Sequence, residues 1–204
     1  MSVITLPASF RIATLGWEQI RNDMEFRSIF GAQVLEASPP LWATMIAATP
    51  YKESDAGAWQ ALLMQLRGKT NQLAVFNAGR PTPLGTMRGT MTLNSAASQG
   101  TTTLSIVASG ENSKTLLQGD FIGLGTGTTQ QVVMVVTDAT SNGSGVISVT
   151  IEPPLRNAHS SAAAVTWNAP TALFRCREAP AKWEYQPGRM VDGFILNLIE
   201  DVRA

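Results

Sequence analysis

The sequence has one cysteine and one histidine among its 204 residues. A lone Cys176 excludes an internal disulfide, and Cys176 with His159 is too small a set for a His/Cys zinc site. Cys176 is read as a small buried hydrophobe and His159 as a polar loop residue. One histidine also leaves little for a nucleophilic triad, and no Gly-x-Ser-x-Gly elbow occurs. Charge is scarce as well, at 15% Asp, Glu, Lys and Arg against roughly 25% in an average soluble domain. Fifteen basic and fifteen acidic side chains cancel, which excludes the strong positive field of a protein that works on duplex nucleic acid. So sparsely charged a surface suits burial against other subunits. No run approaches the roughly 20 apolar residues of a membrane span. The opening "MSVITLPASFRIATLGW" lacks the basic start and apolar core of a signal peptide. The expectation is a soluble chain made in the cytosol, with no membrane partner.

What is present begins with a question. "GDFIGLGTGTTQQVVMVV" sets Gly123, Gly125 and Gly127 at alternate positions before an apolar run, the texture of a phosphate-cradling loop. A dinucleotide fingerprint needs G-x-G-x-x-G opening a helix, whose N-terminus presents free N–H groups and a positive dipole end. Here Thr128 stands where the third glycine belongs, and "TQQVVMVVTD" is β-branched, favouring a strand. No Gly-Lys-Ser/Thr follows either. The expectation is strand, glycine-rich hairpin turn, strand, with no cofactor.

Between Phe10 and Thr49 the pattern predicts three short strands, "SFRIATLGW", "RSIFGAQVLEA" and, after Pro39-Pro40, "LWATMIAAT". One helix is expected in "SDAGAWQALLMQLRGK", about four turns long. Trp59, Leu62, Leu63 and Leu66 fall at i, i+3, i+4 and i+7 on one face. Ser54 or Asp55 is placed to cap its start and Gly68 to close its end. "LAVFN" reads as a strand and "AGRPTPLG" as a loop.

From Thr86 to Asn168 the composition changes: three basic residues (Arg88, Lys114, Arg156), four acidic ones (Glu111, Asp120, Asp138, Glu152) and two aromatics, Phe121 and Trp167. Six strand candidates recur there, "TMRGTMTL", "TTLSIVA", "DFIGLG", "QVVMVVTD", "GVISVTIE" and "AAAVTW". They predict a compact antiparallel barrel or sandwich. Beyond Pro170 the composition of the N-terminal part returns as a hairpin-like pair, "TALFRCREAPAKWEY" and "VDGFILNLIEDV", around Gln186-Pro187-Gly188. The two ends read as one domain, residues 1–86 plus 169–204, and residues 87–168 as an insertion into it.

No catalytic set stands out. Glu53 with Asp55, and Glu200 with Asp201, are too close in sequence to converge from different elements as acid/base pairs do. Glu53 and Asp55 read as helix-start acids. Tryptophans 17, 42, 59, 167 and 183 read as core packing more readily than as a sugar- or base-stacking platform. With one interior aromatic and more acids than bases, an OB-like barrel here is not expected to bind single-stranded DNA. No catalytic, cofactor-binding or metal-binding residue is expected.

The order of the pieces resembles the distal tail proteins of long, flexible-tailed bacteriophages. A β domain with one helix ends "LMQLRGKTNQLAVFNAGRPTPLG". An insertion follows that contains Gly119-Asp120 and Pro154-Leu155-Arg156, and a final strand "GFILNLIEDV" closes the chain. The resemblance implies a mainly β fold: a tail-tube-like β-sandwich domain with one α-helix, interrupted by an OB-fold-like β-barrel insertion. It also implies a homo-hexameric ring in the virion tail tip, with the tail tube protein above and the hub protein below. DNA would meet the ring only in transit through its channel. Gly119-Asp120 and Pro154-Leu155-Arg156 come with it as signatures of a turn and a strand end, and no active site does. Two rival expectations are a carbohydrate-binding adhesin module of the tail tip, which a glycan array separates, and a cell-wall enzyme, which a zymogram separates.

Overall fold

The computed structural model describes residues 1–6, 10–178 and 181–202. Ser9, at the start of the first expected strand, and Ala179 and Pro180, within the expected run from Thr171 to Tyr185, lie outside the described residues, as do residues 203–204.

The chain is mainly β. It begins with β1 (Val3–Thr5), β2 (Ile12–Ser28), β3 (Gly31–Ala48) and β4 (Tyr51–Lys52), then α1 (Gly57–Leu66) and β5 (Gln72–Phe76). The middle holds β6 (Met91–Leu93), β7 (Thr103–Ala108), β8 (Thr115–Leu116), β9 (Phe121–Leu124), β10 (Gln131–Val135), β11 (Ala139–Thr140), β12 (Val146–Glu152) and β13 (Ala164–Thr166). β14 (Thr171–Cys176), β15 (Glu184–Gln186), β16 (Met190–Asp192) and β17 (Ile195–Glu200) complete it. The described residues form two compact units. One takes Met1–Glu18, Trp42–Gly79 and the chain from Ala172 onward; the other takes Gln19–Leu41 and Arg80–Thr171.

The first unit is built on a six-stranded sheet in the order β1-β5-β14-β17-β3-β2. β1 runs parallel to β5, while β14 with β17 and β17 with β3 are antiparallel. The helix appears where its periodicity places it, with Trp59, Leu62, Leu63 and Leu66 all buried. Trp59 stacks between Phe10 (centroids 3.8 Å apart) and Phe194 (5.6 Å). At ten residues it makes about three turns rather than four, because Lys52–Ala56 is spent on a backbone turn in which Asp55 and Ala56 N–H groups donate to the Lys52 carbonyl. The expected start caps are absent: Ala56 is the N-cap residue, without a side-chain bond, and the Ser54 hydroxyl donates to Asp55 instead. Arg67 and Gly68 then take left-handed φ values of 48° and 64°, so the helix stops where Gly68 was expected to stop it.

The three short strands expected between Phe10 and Thr49 are two long ones. β2 and β3 meet at the turn Ile29-Phe30 and form a single hairpin. Pro39-Pro40, which reads as a break, lies inside β3. β17 pairs with β3 only from Ala43 to Ala47, so no ladder partner on that side requires a proline N–H. The C-terminal hairpin is also smaller than expected. β15 and β16 pair around Pro187-Gly188, with β4 on the far side of β16, while the longer β14 and β17 pair with each other in the large sheet.

In the second unit the six strand candidates become β6, β7, β9, β10, β12 and β13, which close a barrel in the order β10-β12-β7-β6-β13-β9. All six pairings are antiparallel. Alternation decides what fills it: Leu104, Ile106 and Ala108 of β7 and Ile147, Val149 and Ile151 of β12 enter the core, with Ile122, Leu124, Val133 and Val135 from β9 and β10. Each such leucine, isoleucine or valine side chain contributes about 1.5–3 kcal/mol on burial. β8 and β11 form a separate two-stranded sheet.

Candidate functional site

The glycine loop joins β9 to β10, paired from Leu124↔Gln131 to Phe121↔Met134. It is the hairpin turn the residues predict. Between the strands lies a 3-10 turn, Gly127–Thr129, whose start is closed by its own side chains: Thr126 N–H donates to the Thr129 hydroxyl, which donates back to the Thr126 carbonyl. Gly125, at φ +74°, has no room for a Cβ beside the Thr129 carbonyl. The glycines serve close backbone approach, and the helix N-terminus that a pyrophosphate requires does not follow.

Gly119-Asp120 forms a latch. Gly119 turns the chain at φ +83° with the Arg80 guanidinium packed over it. Asp120 is fully buried, and its carboxylate accepts N–H bonds from Leu84 (2.7 Å), Gly85 (3.1 Å) and Leu117 (2.8 Å). Arg80 Nη1 lies 3.8 Å away. The 80–85 segment is thereby fixed to the start of β9. Pro154-Leu155-Arg156 follows the end of β12. There the buried Gln131 amide donates to the Pro154 carbonyl and accepts from Arg156 N–H, both at 2.9 Å. These residues have structural work and present no reacting group.

The paired carboxylates are likewise engaged. Glu53 accepts from Arg189 at 3.0 Å and Asp55 from Ser54. Glu200 and Asp201 are both buried. Glu200 accepts the Trp42 N–H at 3.0 Å, and Asp201 accepts the Gln72 amide at 2.9 Å. Burial raises the Cys176 pKa, which keeps the thiol protonated and unreactive at neutral pH. Burial lowers that of His159, so its ring is neutral there. Among the described residues no three His, Cys, Asp or Glu side chains come together as a metal site. Trp42 and Trp59 are core residues, and Trp17 packs edge-on to Phe174 at 5.4 Å. Trp167 donates its indole N–H to the Gly89 carbonyl beneath the Arg88 guanidinium. No tryptophan is exposed.

What the sequence pattern does not announce is the distal part of the β2/β3 hairpin. Strand alternation puts Met24 and Phe26 on one face and Arg21, Asp23, Glu25 and Arg27 on the other. Arg21 lies 3.7 Å from Glu36, so Glu36 shares the charged face and the adjacent Leu35 joins Met24 and Phe26. The charged face also meets β12, with Arg21 3.3 Å from Glu152. The apolar face is uncovered: Met24, Phe26 and Leu35 are about half exposed, and the tip residues Ile29 and Phe30 are 92% and 93% exposed. An isolated two-stranded hairpin is marginal in water, and contiguous exposed apolar side chains mark an interaction surface. This arm is the candidate functional site, and its chemistry is binding. The signal in the sequence is the alternation of charged with apolar residues over Arg21–Arg27.

Among the described residues no helix is long and apolar enough to cross a membrane. No family model matches the chain, and no curated protein matches it at a significant level.

Proposed function

We propose that this chain is a structural protein of a bacteriophage tail tip, in which six copies close a ring between the tail tube and the tail-tip hub and leave a channel for DNA ejection. The observation that carries this reading is the division of the chain. Residues from both ends build one sheet-and-helix unit, and a closed barrel made largely of Arg80–Thr171 interrupts it. On this reading the sheet unit is the tail-tube-like, sandwich-type ring module and the barrel the OB-fold-like insertion. The reading assigns no enzymatic activity, and it places the protein in the virion. It draws further support from an arm built for contact. A glycan-binding adhesin would stack sugars on exposed tryptophans, and the tryptophans are buried or half-buried. Negative-stain images of the purified protein test it: six-fold rings are expected, and rings of any other symmetry overturn it.

A further inference from the structure

The first unit carries a groove of about 440 Å³ on its sheet. Its floor is a row across three strands, where Gly16 of β2 lies beside Met45 of β3 and Met45 opposite Asn197 of β17. Gly16 has no side chain, so the row has a gap there. On the rim Glu18 and Arg177 face each other at 3.6 Å, both largely exposed.

The arm tip is the complement of this groove. It presents Phe30 and Ile29 as apolar knobs, and just behind them an exposed pair of the same two charges, Arg27 and Glu25, at 2.8 Å. Seating the tip in the groove buries Phe30 against Met45 and lets the pairs exchange, Arg27 to Glu18 and Glu25 to Arg177. The tip cannot reach the groove of its own chain. The tip and the groove share strand β2, which runs extended from Gly16 to Ser28, and an extended strand cannot bring its own end back onto its start. Residues 19–41 carry Arg21 and Arg27 against Asp23, Glu25 and Glu36, so the arm has no cationic excess to draw it to an anionic lipid surface.

We infer that the Ile29-Phe30 tip of one copy docks into the Gly16–Met45 groove of a second copy, a head-to-tail contact. A knob and a hole at different places on one chain make a heterologous interface, which propagates into rings or filaments. The inference deepens the ring reading by naming its subunit contact, and it rests on that reading.

The test uses the full chain and light scattering at about 100 µM. The parent is expected to assemble, while Phe30→Asp (knob lost, groove intact) and Met45→Glu (groove lost, knob intact) each run at the 21.8 kDa of one chain. Mixing the two variants restores one productive contact and gives a 1:1 complex of twice that mass. Should Met45→Glu unfold by circular dichroism, Arg177→Glu on the exposed rim replaces it. A monomeric parent, a variant that assembles like the parent, or a mixture that stays monomeric overturns the contact. The copy number of the parent bears on the ring: a parent of six copies with unaffected variants leaves the ring and removes this contact. A parent of another copy number whose variants fall apart does the reverse.

Discussion

The Ala169 N–H donates to the Pro81 carbonyl at 2.6 Å. The segments by which the chain leaves β5 and returns to β14 therefore run side by side, and β5 and β14 are neighbours in the sheet. Both belong to a unit whose other residues come from outside the barrel. Replacing Pro81–Ala169 with four to six Gly/Ser residues, whose reach is about 5–6 Å times the square root of their number, is expected to give a soluble, folded protein. The near-ultraviolet dichroism of Trp42 and Trp59 should persist. An insoluble product, or one without that signal, would show that the sheet unit needs the barrel to fold.

Asp120 is the acceptor for three backbone N–H groups and has no exposure. Asp120→Ala strands those donors, and each unsatisfied buried group costs about 1–3 kcal/mol. With relaxation at the exposed Leu84 and the half-buried Leu117, a loss of about 2–4 kcal/mol is expected in urea unfolding. Asp120→Asn, which keeps one acceptor oxygen, should lose less. Equal losses for the two variants would assign the effect to the charge beside Arg80 rather than to the bonds.

The glycine loop separates two causes of strain. Gly127 has φ +57° and open space where a Cβ would go, whereas Gly125 has φ +74° and the Thr129 carbonyl in that place. Gly127→Ala should cost only the left-handed penalty, about 1–2 kcal/mol. Gly125→Ala should cost clearly more, since the turn must also open. Matching melting curves for the two variants would contradict this account of the loop.

Leu62 is 2% exposed on the inner face of α1, and Met64 on the same helix is 54% exposed. Leu62→Ala is expected to destabilise by about 2–5 kcal/mol as a large-to-small core change, and Met64→Ala to stay within about 0.5 kcal/mol of the parent. Denaturant midpoints measured side by side check both. A large loss at Met64 would mean that its face is covered in solution, for instance by another copy.

The sequence by itself determined the elements that bury one face. α1 was legible because Trp59, Leu62, Leu63 and Leu66 recur at the helical period. The six barrel strands were legible because runs such as Leu104-Ile106-Ala108 alternate between core and solvent. Both patterns are local records of burial. Tertiary structure alone decided the arm: the alternation over Arg21–Arg27 separates two faces, but residues 21–36 bury neither, and Pro39-Pro40 imitates a break. It also decided the buried acids. Asp120 meets Leu84 across 36 residues, Asp201 meets Gln72 across 129 and Glu200 meets Trp42 across 158. A carboxylate is stable in the interior only where donors converge on it, and which distant N–H groups converge is settled by the sheet order and by the closing of the barrel.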